Sequence, residues 1–558
     1  MINIKKLIAL VLSISLLLGV ASTSVSADEA VADDTTTVAT EELESTTNIK
    51  DLYAPEIATM APTTEAPEIE EPVVIADTTP FRISVTVNGD TKTSRGFTWY
   101  TKTNTPSVLK IAVPNPIIGE QEETYVTELT DLDIIYSDVF EWEGNYVHKA
   151  TVTNLESGER YLFKVGNGTE FSAWGNFITD NGDSKVDFIT FADVQAGNEE
   201  NFNRGARVVA QAFETMPTAE FMTCLGDFTD DSTNEEWDWY DSSMREINMK
   251  TTLAPVAGNH DGLGVENWFN NMFNLDTSES VQTKDGVNYS FDYGNIHFAV
   301  VNTNDILSIS IPQLTWLEND MNSTDKDWKI ILMHKSPYSL GKDAKWPDAL
   351  YLQKALTRVV DKCDVDLVLS GHDHQYLRTK PLTGNKVDED GAVYILSGTA
   401  GAKRYEVRPF LANHFLKTDF IDALTIQRSG GNYWNGENWD QQNPDYEGGI
   451  FSTYSVSGGT LTVNSYVVSD YTTDENGNII DVNEEPKVTL HDSFTLTKET
   501  GKNKITFTGD NTTSEAEYIL GAVPSFMGLA AYAIIEWLPK FLIMVPELLY
   551  SVIALDIF

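Results

Sequence analysis

Through the middle of the chain, short apolar runs alternate with amphipathic stretches, and each run stops at a cluster of polar residues. Residues 186–192 stop at Asp193-Val194-Gln195, and 221–225 stop at Gly226-Asp227-Phe228-Thr229-Asp230. Residues 253–257 stop at Gly258-Asn259-His260-Asp261, 328–333 at His334, and 365–370 at Gly371-His372-Asp373-His374. Runs this short and this rich in β-branched residues and leucine read as buried strands. Helical spacing covers 203–216, 313–321 and 349–362. Alternating strand and helix predicts a layered α/β core, and in such sheets ligands gather beyond the carboxyl ends of the strands. One polar loop after a strand is ordinary, but five in succession need a common cause. Gly371 is expected to let the backbone turn sharply ahead of its two histidines.

The flanks follow other patterns. Between 80 and 182 the strands are short and alternating, at 82–87, 96–101, 146–152 and 160–165, with turns at Asn88-Gly89-Asp90 and Ser157-Gly158. This predicts an all-β sandwich. Strands return between 450 and 498 and are expected to complete a second sheet behind the first. Residues 28–79, rich in Thr, Glu, Ala and Pro, have no apolar period and read as a disordered acidic linker. Residues 1–27 read as a signal peptide, with Lys5-Lys6, an apolar segment over 7–20 and small residues at Val25-Ser26-Ala27. Export to the extracellular side follows. The tail, 511–558, is apolar but interrupted. Its uncharged stretch 518–535 falls just short of the roughly 20 residues of a membrane span. Membrane association through 518–558 and a helical hairpin both fit.

Composition narrows the function. Among 558 residues, 38 Lys+Arg against 84 Asp+Glu give a net charge of −46. Such a surface repels nucleic acid. The two cysteines, Cys224 and Cys363, match no zinc or redox spacing and read as inert thiols.

The donors at the five strand ends are two carboxylates (Asp193, Asp227), two amides (Gln195, Asn259) and three imidazoles (His334, His372, His374). Nitrogen and oxygen donors without thiolate suit divalent Zn, Mn or Fe. Seven side chains make two four-ligand sites only if one is shared, and a carboxylate can bridge, so Asp227 is the natural shared ligand. Two adjacent ions can clamp a phosphate and sharpen a bound hydroxide. The four histidines outside the strand-end clusters, His148, His297, His414 and His491, read as structural or surface residues.

The order Asp-x-Gln, Gly-Asp-x-x-Asp, Gly-Asn-His-Asp, His, Gly-His-x-His resembles the calcineurin-like metallophosphoesterases. The β module ahead of it, with Arg95-Gly96-Phe97-Thr98-Trp99 and residues 161–166, resembles the fibronectin-type-III-like domain preceding the catalytic domain of purple acid phosphatases. The resemblance implies a four-layer α/β sandwich, two mixed sheets flanked by helices, over 183–500, preceded by an all-β sandwich over 80–182. It assigns Asp193, Gln195, Asp227 and His374 to one ion, and Asp227, Asn259, His334 and His372 to the other. It makes His260 the group that protonates the leaving oxygen or stabilises charge there, with Asp261 orienting its ring. The implied reaction is hydrolysis of a phosphate monoester by a metal-bound hydroxide.

Two positions depart from the purple enzymes. Asp230 stands where they carry the Tyr that binds ferric iron, and Gln195 stands where the wider family often has His. A purple Fe(III) centre is therefore not expected, and Gln195 is expected to restore the missing ligand. Asp230 reads either as support for the ligands or as a loop carboxylate. Diester or nucleotide hydrolysis uses the same metal blocks, because loops choose the leaving group. Residues 403–450 read as pocket-shaping loops or plain surface. A non-catalytic surface-binding protein is the third reading, opposed by the intact ligand set and His260.

Overall fold

The computed structural model describes residues 77–510, apart from 115–125, 265, 283–286, 305–310, 342–346, 404–419, 426–432, 435–438, 441–447, 474–478 and 499–504. The signal peptide, nearly all of the linker, the apolar tail and most of 403–450 lie outside the described residues.

The N-terminal module is a sandwich of two antiparallel sheets. One carries β1 (Phe81–Thr86), β2 (Arg95–Thr101), β5 (Asp133–Tyr136), β6 (Phe140–Trp142) and β7 (Asn145–Thr153). The other carries β3 (Val108–Pro114), β4 (Val126–Glu128), β8 (Arg160–Gly166) and β9 (Gly175–Ile178). Alternate residues of both sheets, among them Val85, Phe97, Trp99, Ile111, Phe163 and Phe177, fill the space between them. Strand geometry points every second side chain into this core, while β1 and β2 are covered on their other face as well.

The α/β module starts with three parallel strands, β10 (Lys185–Phe191), β11 (Phe221–Cys224) and β12 (Thr252–Pro255). A second sheet follows: β13 (Tyr289–Tyr293), β14 (Ile296–Val301), β15 (Trp328–Met333), β16 (Leu367–Ser370), β17 (Tyr376–Thr379), β20 (Val393–Ser397) and β21 (Ile421–Thr425). Between them run two short hairpin strands, β18 (Leu382–Thr383) and β19 (Lys386–Val387). A second hairpin comprises β22 (Tyr433–Trp434) and β23 (Trp439–Asp440). In β14 every side chain is buried, and in β15 every one but Lys329, because both faces are covered. Phe298, Val300, Ile330 and Leu332 face the inter-sheet core, whereas Ala299, Val301, Ile331 and Met333 face the outer helices. Phe188 stacks on Phe221 and Tyr454, with Phe298 edge-on from the opposite sheet.

The helices α1 (Glu199–Thr215) and α2 (Asn234–Asn248) cover the first sheet, while α4 (Ile311–Ser323) and α5 (Pro347–Lys362) cover the second. A single short turn, α3 (Trp268–Met272), lies near the N-terminal module. Helix α1 begins earlier than its apolar spacing suggests, because Asn198 caps it through the Asn201 N–H. Helix α2 escapes the apolar pattern: Trp237, Tyr240 and Met244 are spread among acids. Its Thr233/Glu236 capping box is the readable signal.

Two expectations are corrected. The strands after residue 448, β24 (Gly448–Ser457), β25 (Thr460–Thr473) and β26 (Ile479–Lys498), do not build the second sheet. They extend the first, because β24 pairs antiparallel along the free edge of β10 and closes it. A further strand, β27 (Ile505–Asp510), pairs with β26, so the sandwich continues past the boundary at 500. Both cysteines are buried and free.

His297 sits on β14 between two carboxylates, Nδ1 at 2.7 Å from Asp292 and Nε2 at 2.9 Å from Asp320, with Lys326 also facing Asp292. Burial opposes its charge, yet the two charge-assisted hydrogen bonds raise its pKa to about 9. A raised pKa stabilises the fold fully below the unfolded value near 6.5, and this stability is lost as pH climbs through 9. Replacing His297 by Gln should therefore cost roughly 1–2 kcal/mol at pH 6, after discounting the half-exposed Asp292 for screening. The cost should shrink clearly by pH 9.5. Urea unfolding of both proteins at the two pH values checks this; a cost independent of pH refutes it.

Candidate metal centre

The carboxyl ends of β10, β11 and β12 from one sheet, and of β15 and β16 from the other, bring Asp193, Asp227, Asn259, His334, His372 and His374 together, with Gln195 buried against Asp230. Asp193, Gln195, Asp227, His334 and His374 are almost completely buried. Ligand atoms of Asp227, His334 and His372 lie within 4.8 Å of one another, as do those of Asp193, Asp227 and His374. Asp227 belongs to both groups.

The backbone is bent to achieve this. Asp193 (φ 54°), Asp227 (φ 57°), His372 (φ 80°) and His374 (φ 49°) are all left-handed, a costly conformation for side chains other than Gly and one that collects at functional sites. The motif glycines make room. Gly226, at φ +96°, has no Cβ to strike His334 Nδ1, which a Cβ would meet at 2.4 Å. The backbone at Gly371 is unexceptional, contrary to the turn expected there: its contribution is space, since a Cβ would lie 2.7 Å from Asp193 Oδ2.

Hydrogen bonds select which atom each ligand presents. His334 Nδ1–H donates to the Leu225 carbonyl (2.8 Å), which turns its Nε2 into the site. Nε2 lies 3.1 Å from Asn259 Oδ1, 3.2 Å from Asp227 Oδ2 and 3.1 Å from His372 Nδ1. Acceptors crowded together in this way repel unless a proton or a metal cation lies among them. The Asp193 carboxylate accepts the His372 backbone N–H at 3.0–3.1 Å, and Asp227 Oδ1 accepts that of His260 at 3.0 Å. His374 turns Nδ1 to the Lys403 carbonyl, leaving Nε2 3.4 Å from Asp193. Gln195 donates Nε2–H to Asp230 Oδ1 (3.0 Å), and its Oε1 is buried without a hydrogen-bond partner. A buried amide oxygen without a partner suits a cation, as do the two carboxylates and three imidazoles of the clusters.

The electrostatics point the same way. Burial opposes charge on Asp227, but His334, His260 and His372 hold it well below the usual carboxylate range. Burial likewise opposes charge on His334, and Asp227 and Asp193 nevertheless lift it to about 9. His372 is driven down by burial and by the neighbouring His334 and Lys335.

His260 stands at the rim, its side chain one-third exposed. Its Nδ1 is engaged by the Asp230 carbonyl, so Nε2 is the ring nitrogen left for other partners. Asp261 was expected to orient this ring and does not. Its carboxylate is fully buried and occupied by backbone donors: the N–H groups of Gly258 (2.7 Å), Phe228 (2.6 Å) and Asp227 (3.0 Å), with Thr229 further off (3.4 Å). Burial and the Asp227 charge push its pKa up to about 7. Asp230 also accepts an ion pair from Lys403 at 2.6 Å. Lys403 follows β20, a sixth strand end; its loop touches Asp193 through Thr399 Oγ1, which donates to the Asp193 carbonyl at 2.7 Å. The strand-end rule extended to β20 would have flagged it, whereas carbonyl partners such as Leu225 leave no mark in a sequence.

Residues 178–376 match the family model described as calcineurin-like phosphoesterase, so the chain carries a domain of that class. Residues 80–179 match the purple acid phosphatase N-terminal domain, so the chain joins that module to the phosphoesterase domain. Among curated relatives, purple acid phosphatase 15 of Arabidopsis thaliana is 28% identical over 30% of this chain and 32% of the relative. Purple acid phosphatase 22 of the same plant is 24% identical over 51% and 65%. The chain thus spans from about a third to just under two thirds of these relatives. Two solved structures share the fold. Purple acid phosphatase PPD1 from yellow lupin (Lupinus luteus) seeds has a TM-score of 0.53 at 16% identity, over 76% of this chain and 75% of that one. PhoD has a TM-score of 0.52 at 11% identity, over 80% and 94%.

Proposed function

We propose that this chain is an exported phosphatase that hydrolyses phosphate monoesters with two divalent ions, and that it lacks the tyrosine ligand of the purple enzymes. The observation that carries the reading is Asp227, a buried carboxylate common to two ligand groups. Asp193, Gln195, Asp227 and His374 would hold one ion, and Asp227, Asn259, His334 and His372 the other. When bound, such ions supply Lewis acidity toward a phosphoryl oxygen and a nucleophile from water near neutral pH. Only two of the seven ligands are anionic, so the loaded centre keeps net positive charge and attracts an oxyanion. His260, with Nδ1 engaged, has Nε2 free to carry a proton to the departing ester oxygen. Asp230 occupies the tyrosine's position, but its carboxylate is engaged by Gln195 and Lys403, which favours a divalent pair over a ferric site. Export rests on the pattern of residues 1–27. No helix among the described residues is long and apolar enough to cross a membrane; the apolar tail lies outside them.

The test strips the metals and restores Mn, Zn or Fe(II), with p-nitrophenyl phosphate set beside bis-p-nitrophenyl phosphate. The monoester should be turned over in a metal-dependent manner, and His260→Ala should lower kcat about a hundredfold. Preference for the diester would move the reading to a phosphodiesterase. Absence of turnover with two ions bound would remove the phosphatase reading.

A further inference from the structure

We propose that Lys403 is a positioning residue that decides which atom of Gln195 is presented to the metal centre. The inference rests on the two-metal reading above. A glutamine amide has two ends of nearly equal shape, and only the oxygen binds a cation. At Gln195 the choice is made by Asp230: its Oδ1 accepts Nε2–H at 3.0 Å, and an ionised carboxylate can only accept. The amide nitrogen must therefore face Asp230, which leaves Oε1 buried and without a partner. What fixes Asp230 is Lys403, whose Nζ donates to the same oxygen at 2.6 Å.

Lys403 also acts through its backbone. Its carbonyl accepts from His374 Nδ1, so the Nε2 of that ring is turned to the Asp193 side. The side chain and the main chain of one residue thus set the presented atoms of Gln195 and His374, two ligands of the same expected ion. The residue reaches the site from the loop after β20, outside the five motifs that supply the ligands.

The sign of the effect separates this role from a plain charge effect. A lysine beside a cation site repels the cation, so on electrostatics alone its removal should tighten metal binding. As a positioning residue, its removal should weaken binding, because Asp230 is freed and the amide can turn its nitrogen inward.

The experiment titrates Mn(II) into the metal-stripped full-length chain, following heat and the electron spin resonance of the ion pair. Wild type should take up two ions. Lys403→Met should weaken one of them about tenfold or more, in the range of losses from outer partners of metal ligands, and Lys403→Arg should restore it. In a Gln195→His background the amide choice no longer exists, so Lys403→Met should have little effect there. Recovery in that background also excludes misfolding as the cause. Tighter or unchanged Mn(II) binding in Lys403→Met overturns the proposal, as does equal weakening in the Gln195→His background. Wild type binding fewer than two ions overturns the two-metal reading and this inference together. Two bound ions without ester turnover would sink only the phosphatase reading.

Discussion

Asp227→Asn should abolish metal-dependent ester hydrolysis and leave the purified protein without its pair of ions. The loss should far exceed the roughly 10–100-fold that follows removal of an outer partner. Asp227 is the one side chain common to both ligand groups. An amide in its place removes a charge from both ions at once and turns one of two acceptor atoms into a donor. The change is nearly isosteric, so the fold should survive and the effect be read on chemistry. His334 gives a second readout. Asp227 is the main charge opposing the effect of burial on that ring, so its loss should let His334 fall from about 9 toward the neutral form. Elemental analysis after gel filtration, together with turnover of an aryl phosphate, decides the matter. A variant that keeps two ions, or keeps turnover within tenfold, refutes the shared-ligand role.

Asp261→Ala should destabilise the stripped protein by about 2–5 kcal/mol, because several buried backbone N–H groups lose their shared acceptor. Its two oxygens accept the N–H groups of Gly258, Phe228 and Asp227, with Thr229 at longer range. Alanine leaves those donors buried without acceptors, at roughly 1–3 kcal/mol for each one not rescued by water. Those donors belong to the loops that carry Asp227 and Asn259, so metal affinity should fall as well. Asparagine should rescue only in part, because its NH₂ must face one of the backbone N–H groups. Urea unfolding without metal isolates the stability term, and a loss below about 1 kcal/mol would refute it.

The site was more legible in the sequence than the frame around it. Strand ends were readable because each apolar run stops abruptly at a polar cluster, and Asp193, Asp227, Asn259, His334, His372 and His374 meet beyond those ends. The role of Asp261 was not readable, and that of Asp230 only as one of two alternatives, of which support for a ligand is the one seen. Both are acids close to His260 in the fold, and sequence adjacency favoured Asp261. The turn of the loop instead directs the Asp261 carboxylate inward to backbone donors and brings the Asp230 carbonyl to the ring. Sheet membership was not readable either. β24 alternates in the same way whether it starts a new sheet or closes an old one, and only the open edge of β10 decides. Helix α2 was hidden by its acids, although its capping box stood in plain view.

The first sheet holds twelve strands because β1 of the N-terminal module lies parallel to β12, with the Val87 N–H bonded to the Leu253 carbonyl at 3.1 Å. The seam continues beyond the sheet: Arg82 reaches Asp238 and Asn234 on α2, and Lys149 donates to the Phe273 carbonyl at 2.7 Å. β12 leads directly into the loop bearing Asn259 and His260. For an evolving lineage, recombination at the module border would therefore exchange one flank of a metal-bearing strand along with the β-sandwich. Chimeras cut between the two modules inherit a mismatched buttress, and the parts can be traded only as a pair or with the seam residues carried across.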